Sequence, residues 1–253
     1  MNRVTGVTLA DGLIVETVYY PYDTLCISSQ AGCRIGCPFC ASGRKGLVRS
    51  LTYEELVKQA ETADSARITI SGIGEPLDNF VNVKRFIESS ERPVSVTTTG
   101  GSELLKELLM MLSNGVMISV HSGREETHKK LVPKSRTLDE IFADIDEVWG
   151  RMSVRARKRV GFNYLLTEGI NDGQEELDAY VSRVAKYPQA VTHLLVMNPV
   201  DRSPYKSPSK EKFDGIYDYL RSKGLSVRRS NQWRKEELGG CGTLWLRSQK
   251  EKC

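Results

Sequence analysis

No apolar run in the chain approaches the length of a membrane span, and no charged start followed by an apolar stretch marks a secretory leader. Both absences predict a soluble, cytoplasmic protein with no membrane partner. Internal repeats and low-complexity segments are missing as well. Aromatic residues are sparse, at 8%, and charge is nearly balanced, with 36 Lys and Arg against 32 Asp and Glu for a net +4. That balance permits a nucleic-acid partner without requiring one. Basic residues gather in two places: Arg151, Arg155, Arg157, Lys158 and Arg159, then Arg228, Arg229, Arg234 and Lys235. Either group alone reads as a solvated face; a track for phosphates is the alternative.

A chain of 253 residues can bury its core without disulfide or metal staples. Cysteine is nevertheless concentrated. Four of the six lie in C-I-S-S-Q-A-G-C-R-I-G-C-P-F-C, from Cys26 to Cys40. In a reducing compartment such thiols read as metal ligands or catalysts rather than structural disulfides. Cys33, Cys37 and Cys40 follow the pattern C-x3-C-x2-C. Three thiolates with no fourth in register suit a cubane iron–sulfur cluster, in which three irons are held and the fourth stays open. A zinc site with Cys26 as fourth ligand is the competing reading.

Val7 to Tyr20 alternates on both sides of Asp11-Gly12, a hairpin signal. After Pro21 short apolar strands alternate with longer helical runs. Strands are predicted over Thr24–Ser28, Arg67–Ser71, Val94–Thr99, Val116–His121, Val160–Leu166 and His193–Met197. Helices are predicted over Thr52–Glu61, Val81–Ser89, Glu103–Leu112, Leu138–Trp149, Gly173–Lys186 and Ser209–Ser222. This alternation predicts an α/β fold with a parallel sheet, as a partial barrel or an open sheet. The unusual residues fall where strands end: Cys33 to Cys40, Gly72-Ile73-Gly74-Glu75-Pro76, Thr97-Thr98-Thr99-Gly100, Ser119-Val120-His121 and Asn198-Pro199. In parallel α/β folds the site is built there, because the βα loops converge. Cys241 lies between glycines in E-L-G-G-C-G-T-L, which suggests a flexible loop able to carry a thiol into a site.

C-x3-C-x2-C with Phe39 before the last cysteine resembles the cluster motif of radical S-adenosylmethionine (SAM) enzymes, and Gly74-Glu75-Pro76 resembles their glycine-glutamate-proline motif. Taken in order, the Cys26–Gly43 stretch, G-I-G-E-P-L-D-N, T-T-T-G, I-S-V-H, N-D-G, N-P and G-G-C-G resemble the RlmN/Cfr family of RNA adenine methyltransferases, from about Val7 to about Leu244. The resemblance implies a partial (βα)6 TIM-like barrel with an N-terminal β-hairpin. The hairpin extension would span 1–22, and the barrel with its C-terminal catalytic loop 23–253. It implies a 4Fe–4S cluster on Cys33, Cys37 and Cys40, with SAM chelating the open iron. It further implies SAM contacts from Gly74, Glu75, Thr97, Ser119, Val120, His121 and Asn198. Thr97 stands where the family usually has serine.

The resemblance also implies that Cys241 is methylated by a first SAM. The radical made from a second SAM then takes a hydrogen from that methyl group, and the thiomethylene adds to an sp2 carbon of adenine, C2 or C8. Cys26 would attack Cys241 to release the product, leaving a disulfide that cellular thiols reset. Glu16 matches a proposed proton acceptor; as a bare strand residue it reads as exposed. Cys253 matches nothing. An electron donor such as flavodoxin or ferredoxin is implied, as is an RNA partner, rRNA or tRNA. The chain starts just before the hairpin, where the family carries an accessory RNA-binding domain, and N-P-V-D-R-S-P-Y departs from the family's more glycine-rich loop. Two alternatives stand beside the RNA reading. One is the same chemistry on a small molecule, free nucleoside or peptide. The other is a cysteine-rich metal-binding or redox protein without methyl transfer.

Overall fold

A computed structural model describes residues 1–111, 113–200, 203–230, 235, 239, 242–244 and 247–248. The chain opens with an antiparallel hairpin, β1 (Arg3–Thr8) and β2 (Leu13–Tyr20), turned at Asp11-Gly12, where Asp11 accepts from the Leu13 amide. β3 (Thr24–Ile27) follows, then a small hairpin of β4 (Gln30–Gly32) and β5 (Leu47–Ser50) that encloses the cysteine loop. From there strands and helices alternate: α1 (Tyr53–Ala60), β6 (Arg67–Ile70), α2 (Phe80–Ser89), β7 (Val94–Thr98), α3 (Leu105–Met110) and β8 (Gly115–Ser119). The second half contains α4 (Glu125–Leu131), α5 (Leu138–Trp149), α6 (Val154–Arg157), β9 (Val160–Leu165), α7 (Gln174–Val184), β10 (Val191–Leu195), α8 (Lys210–Ser222), β11 (Ser226–Arg229) and β12 (Arg247–Ser248).

The main sheet runs β1-β2-β3-β6-β7-β8-β9-β10-β11, parallel from β3 onward. Among the described residues it ends at β1 and β11 without closing, the arrangement of an open, partial barrel. The N-terminal hairpin continues the same sheet through Val18↔Cys26 pairing, and β12 takes the length of β2 at Leu13 and Ile14 that β3 leaves free.

The strand registers assign every side chain to one of two faces. Ile27, Ile68, Ile70, Val94, Val96, Val116, Ile118, Val160, Phe162 and Leu194 share the outer face, buried beneath the helices. The other face carries Glu16, Val18, Cys26, Thr69, Ser95, Thr97, Met117, Ser119, Asn163 and His193, which are polar or half-buried more often than not. A parallel sheet covered on both faces reads as continuous apolar strands. Here the strands alternate because the concave face is left open, and that face is the floor of the site.

α1 and α5 each begin at a capping box, Thr52 with Glu55 and Thr137 with Glu140, which satisfies amides the first turn would leave bare. The helix predicted over 103–112 is shorter because Met111 is already extended at the C-cap. Among the described residues no helix is long and apolar enough to cross a membrane.

Candidate active site at the carboxyl ends of the strands

Cys33, Cys37 and Cys40 lie in the loop between β4 and β5, drawn tight by glycines. Gly32 has φ 83°, and a Cβ there would fall 2.0 Å from the Gly46 carbonyl oxygen, the same oxygen that accepts from the Cys33 amide. Gly43 presses on the other side, where a Cβ would stand 2.8 Å from Gly36 Cα. Ile35, Leu131 and Val132 form a small apolar core against which Cys33, Cys37 and Phe39 pack. Burial pushes the Cys33 thiol up to about 12 and the Cys37 thiol well above the usual range, and each cysteine feels its neighbours' charge. Among the described residues no three His, Cys, Asp or Glu converge on a point that a single ion would fill. Three thiols within electrostatic reach of one another on one tight loop fit the ligand set of a cluster in which each thiolate takes a separate iron.

Glu75 closes the next strand end. Its Oε2 accepts from the Thr99 amide at 2.8 Å, and its Oε1 accepts from the Leu77 amide at 3.1 Å and from the Thr98 hydroxyl in a short hydrogen bond. Its own amide donates to Gln30 Oε1 at 2.8 Å. Burial raises the Glu75 pKa from its ordinary value, with these donors pulling the other way. Gly74 has φ 110°, and a Cβ would strike Gln30 Cβ at 2.6 Å and Ser29 Oγ at 2.7 Å. Ser29 Oγ is buried without a hydrogen-bond partner. A bare backbone turn, an anchored carboxylate and a polar atom awaiting a partner, all beside the thiol loop, fit SAM chelated to the cluster's open iron.

At the end of β8, His121 is buried in the left-handed region with φ 57°. Its Nδ1 accepts from the Leu165 amide at 3.1 Å, which leaves the ring proton on Nε2. Burial beside His128 lowers its pKa to about 3, so the imidazole is neutral at working pH. Asn171 holds this unusual turn, donating from Nδ2 to the His121 carbonyl at 2.7 Å and to the Leu165 carbonyl at 2.8 Å. The His121 ring meets Phe39 edge-on at 5.4 Å, joining the β8 end to the cysteine loop. Thr97 and Ser119 lie half-buried on the concave face, and Asn198 is buried beyond β10. Val120 is buried, with its amide donating to Ile118 and its carbonyl accepting from His128 Nδ1, so its polar groups are engaged within the protein.

Cys26 is 2% exposed on the concave face, with Sγ 3.3 Å from Ser71 Oγ. Glu16, two residues from the Val18 that pairs with Cys26, shares that face. It is 5% exposed rather than open to solvent as its hairpin position suggested, and Gly6 opposite brings no side chain to crowd it. Cys241 lies outside the described residues, as do Arg234 and Cys253. Gly239 and Gly242, near it on either side, are described. Gly239, at φ 76°, is pressed so close to the hairpin that a Cβ would meet Val18 at 2.8 Å and Val4 at 2.9 Å, and its carbonyl accepts from Tyr20 Oη at 3.1 Å. The Gly242 carbonyl accepts from the Ala41 amide at 2.8 Å, and the Leu244 carbonyl accepts from Ser42 Oγ at 2.6 Å.

The two basic groups part company. Arg155, Arg157 and Lys158 belong to α6 and its end, which lead into β9 at the face opposite the site. There Arg157 donates to the Trp149 and Gly150 carbonyls and Arg159 to that of Ser113. Arg228, in register with His193, is exposed at the open end of the concave face. Thr98, Thr99, Gln30 and Asn171 lie in motifs noted in the sequence, T-T-T-G, the Cys26–Gly43 stretch and N-D-G, but none was given a role there. Thr98 and Thr99 stand in the same T-T-T-G run as Thr97, but nothing in the run says that the outer-facing hydroxyl, Thr98, is the one that grips Glu75.

Residues 27–181 match the profile of the Radical SAM superfamily. The chain is 33% identical over 255 residues to a probable RNA methyltransferase of Pseudomonas aeruginosa, covering 96% of this chain and 72% of that protein. It is 30% identical over 263 residues to a probable dual-specificity RNA methyltransferase RlmN of Finegoldia magna, covering 94% and 73%. Among solved structures it superposes on a radical SAM methyltransferase from Sphaerobacter thermophilus with a TM-score of 0.83 at 27% identity, over 96% of this chain and 77% of that one.

Proposed function

Because this chain belongs to the Radical SAM superfamily, among its RlmN-type RNA methyltransferases, we propose that it methylates an sp2 carbon of an RNA adenine, C2 or C8, through a methyl group carried on Cys241. The chain is an enzyme of methyl transfer that uses a 4Fe–4S cluster and SAM. When bound, that pair supplies one-electron cleavage of the sulfonium and the methyl group itself.

The protein's own residues divide the remaining work. Cys33, Cys37 and Cys40 hold the irons, and Gly74 and Glu75 take the methionine amine. Thr97, Ser119, His121 and Asn198 serve the rest of SAM, His121 as a neutral Nε2–H donor. Cys241 accepts the methyl and loses its thiol proton. After hydrogen abstraction, the carbon on sulfur bonds to the adenine carbon, making a covalent enzyme–substrate adduct. Glu16 accepts the proton from that adenine carbon. Cys26, as thiolate, forms a bond to the Cys241 sulfur while the sulfur–carbon bond breaks with its electron pair on carbon. That methylene carbon takes a proton from solvent to become the methyl on the base, the odd electron of the adduct leaves to an external one-electron carrier, and the two cysteine sulfurs end as a disulfide. An external one-electron carrier of the flavodoxin or ferredoxin class supplies the reducing electron.

One observation carries this reading. Gly239 rests on Val18, the strand partner of Cys26, and Gly242 hydrogen-bonds to the cysteine loop at Ala41. Described residues on either side of Cys241 thus touch the hairpin strand that pairs with Cys26 and the end of the cysteine loop, which supports a role for Cys241 between the two. The test is Cys26→Ala, purified after expression with cellular RNA. A covalent adduct is expected on the peptide bearing Cys241, with the mass of a methylene-linked adenine nucleotide. A variant that still releases methylated product would refute the disulfide step, and an adduct of another mass would replace RNA as the substrate.

A further inference from the structure

Arg34 is the residue between Cys33 and Ile35 in the cluster-ligand loop, and its side chain leaves that loop altogether. Nε donates to Asp78 Oδ2 at 2.5 Å and a terminal nitrogen donates to Asp78 Oδ1 at 2.8 Å, a two-point fork. The other terminal nitrogen donates to the Lys134 carbonyl at 2.9 Å. Asp78 sits in the short turn Pro76–Asn79 directly after Glu75, and its amide donates back to the Glu75 carbonyl at 3.0 Å. Lys134 precedes Ser135, whose hydroxyl donates to the Thr99 carbonyl at 3.1 Å, while the Thr99 amide donates to Glu75 at 2.8 Å. The contacts form a closed circuit of three loops and one strand end around Glu75.

We infer that Arg34 and Asp78 are a positioning pair for SAM, fixing the loop that holds the irons against the loop that holds the methionine amine. This rests on the cluster and SAM assignments above. Two-point chelation requires the open iron and Glu75 at one fixed offset, yet they belong to different βα loops. The cysteine loop is rich in glycine, so without a tie its spread of positions would be paid at each binding event. The fork supplies the tie in advance. Most exposed ion pairs contribute little, but a bidentate arginine–carboxylate pair is the exception, and here Asp78 is only 13% exposed beside Arg34 at 38%. Lysine cannot reproduce the fork, because an ammonium presents a point charge to one oxygen at a time.

The experiment uses the full chain, reconstituted anaerobically with iron and sulfide, as parent, Arg34→Gln, Arg34→Lys, Asp78→Asn and the double Arg34→Gln/Asp78→Asn. Iron per chain, the melting temperature of the apo-protein, and SAM affinity are measured, the last from the change SAM causes in the electron paramagnetic resonance signal of the reduced cluster. Each single variant, Arg34→Lys included, is expected to bind SAM about tenfold to a hundredfold more weakly than the parent, while the apo-protein still melts in one cooperative transition. The double variant is expected to be no weaker than either single, since a clamp cut at one end is already open. If iron loading falls, the same rule applies: equal deficits in both singles and the double support the clamp. Single variants within twofold of the parent, unequal deficits, or a double equal to the product of the singles would overturn it. A parent that takes up no iron or shows no SAM-dependent signal would instead defeat the cofactor assignment, leaving the clamp a structural contact alone.

Discussion

Glu75 has three protein donors on its carboxylate, and burial still holds its pKa above the usual 4.5. Folding thus shifts this group toward its neutral form relative to the unfolded chain. The resulting stability is fully present below pH 4.5 and is lost as pH rises through the raised folded value. SAM binding has the opposite slope, because the methionine amine needs the carboxylate. Affinity for SAM in the parent should tighten as pH rises through the Glu75 transition. In Glu75→Gln it should be flat, and weaker by about 10- to 100-fold, the worth of a hydrogen bond to a charged group at ~1.5–3 kcal/mol. The apo-variant should also lose the parent's decline in melting temperature over that window. Calorimetric titrations and melts between pH 4 and 8 check both arms, and parallel affinity profiles for parent and variant would remove Glu75 from SAM recognition. At this scale the sequence was informative wherever chemistry singles out a residue type: three cysteines, a Gly-Glu pair, a histidine at a strand end. It could not distinguish Thr97 from Thr98, because a hydroxyl aimed into the concave face and one turned to clamp Glu75 differ only by the strand's period of two.

At the scale of elements, the six strands read from the sequence correspond to β3 and β6 to β10, because each brings an apolar outer face to the helices. α4 was not visible: E-E-T-H-K-K-L buries only His128 and Leu131, too few for a helical period. β11 was missed for the same reason, since S-V-R-R buries one residue and is held by backbone pairing to β10. Nor could sequence show that the glycines around Cys241 are docking points as much as hinges. Gly239 is the clearest case, with a left-handed φ of 76° and two valines where a Cβ would go. Gly239→Ala combines a conformational penalty of about 1–2 kcal/mol with that clash, so the segment should lift from the hairpin. Methyl transfer is expected to fall at least tenfold, while iron content and SAM affinity stay at parent values. Unchanged turnover, measured as methyl incorporated per enzyme, would mean that the docking on Val18 plays no part in delivering Cys241.

Across the whole molecule the open barrel sorts charge by function. The basic residues of α6 and its end lie opposite the site; Arg157 is spent on the Trp149 and Gly150 carbonyls and Arg159 on that of Ser113, while Arg155 is exposed. Arg228 stands at the unclosed end of the concave face, where no further strand among those described covers it. An extended RNA delivering a base into that face across this edge would meet Arg228, which makes Arg228 the phosphate contact to test. Each phosphate neutralised on a single strand adds about 0.7 to the slope of log affinity against log salt concentration. Arg228→Ala should therefore weaken RNA binding at low salt, reduce the slope by about 0.7, and leave SAM affinity unchanged. Arg155→Ala, an equally exposed arginine removed from the opposite face, should leave both the affinity and the slope as they are. Filter-binding or anisotropy titrations from 50 to 300 mM salt, with one RNA and both variants, decide the matter. Equal losses from the two substitutions would mean that RNA binds through diffuse net charge, and a loss confined to Arg155→Ala would move the RNA path to the α6 face.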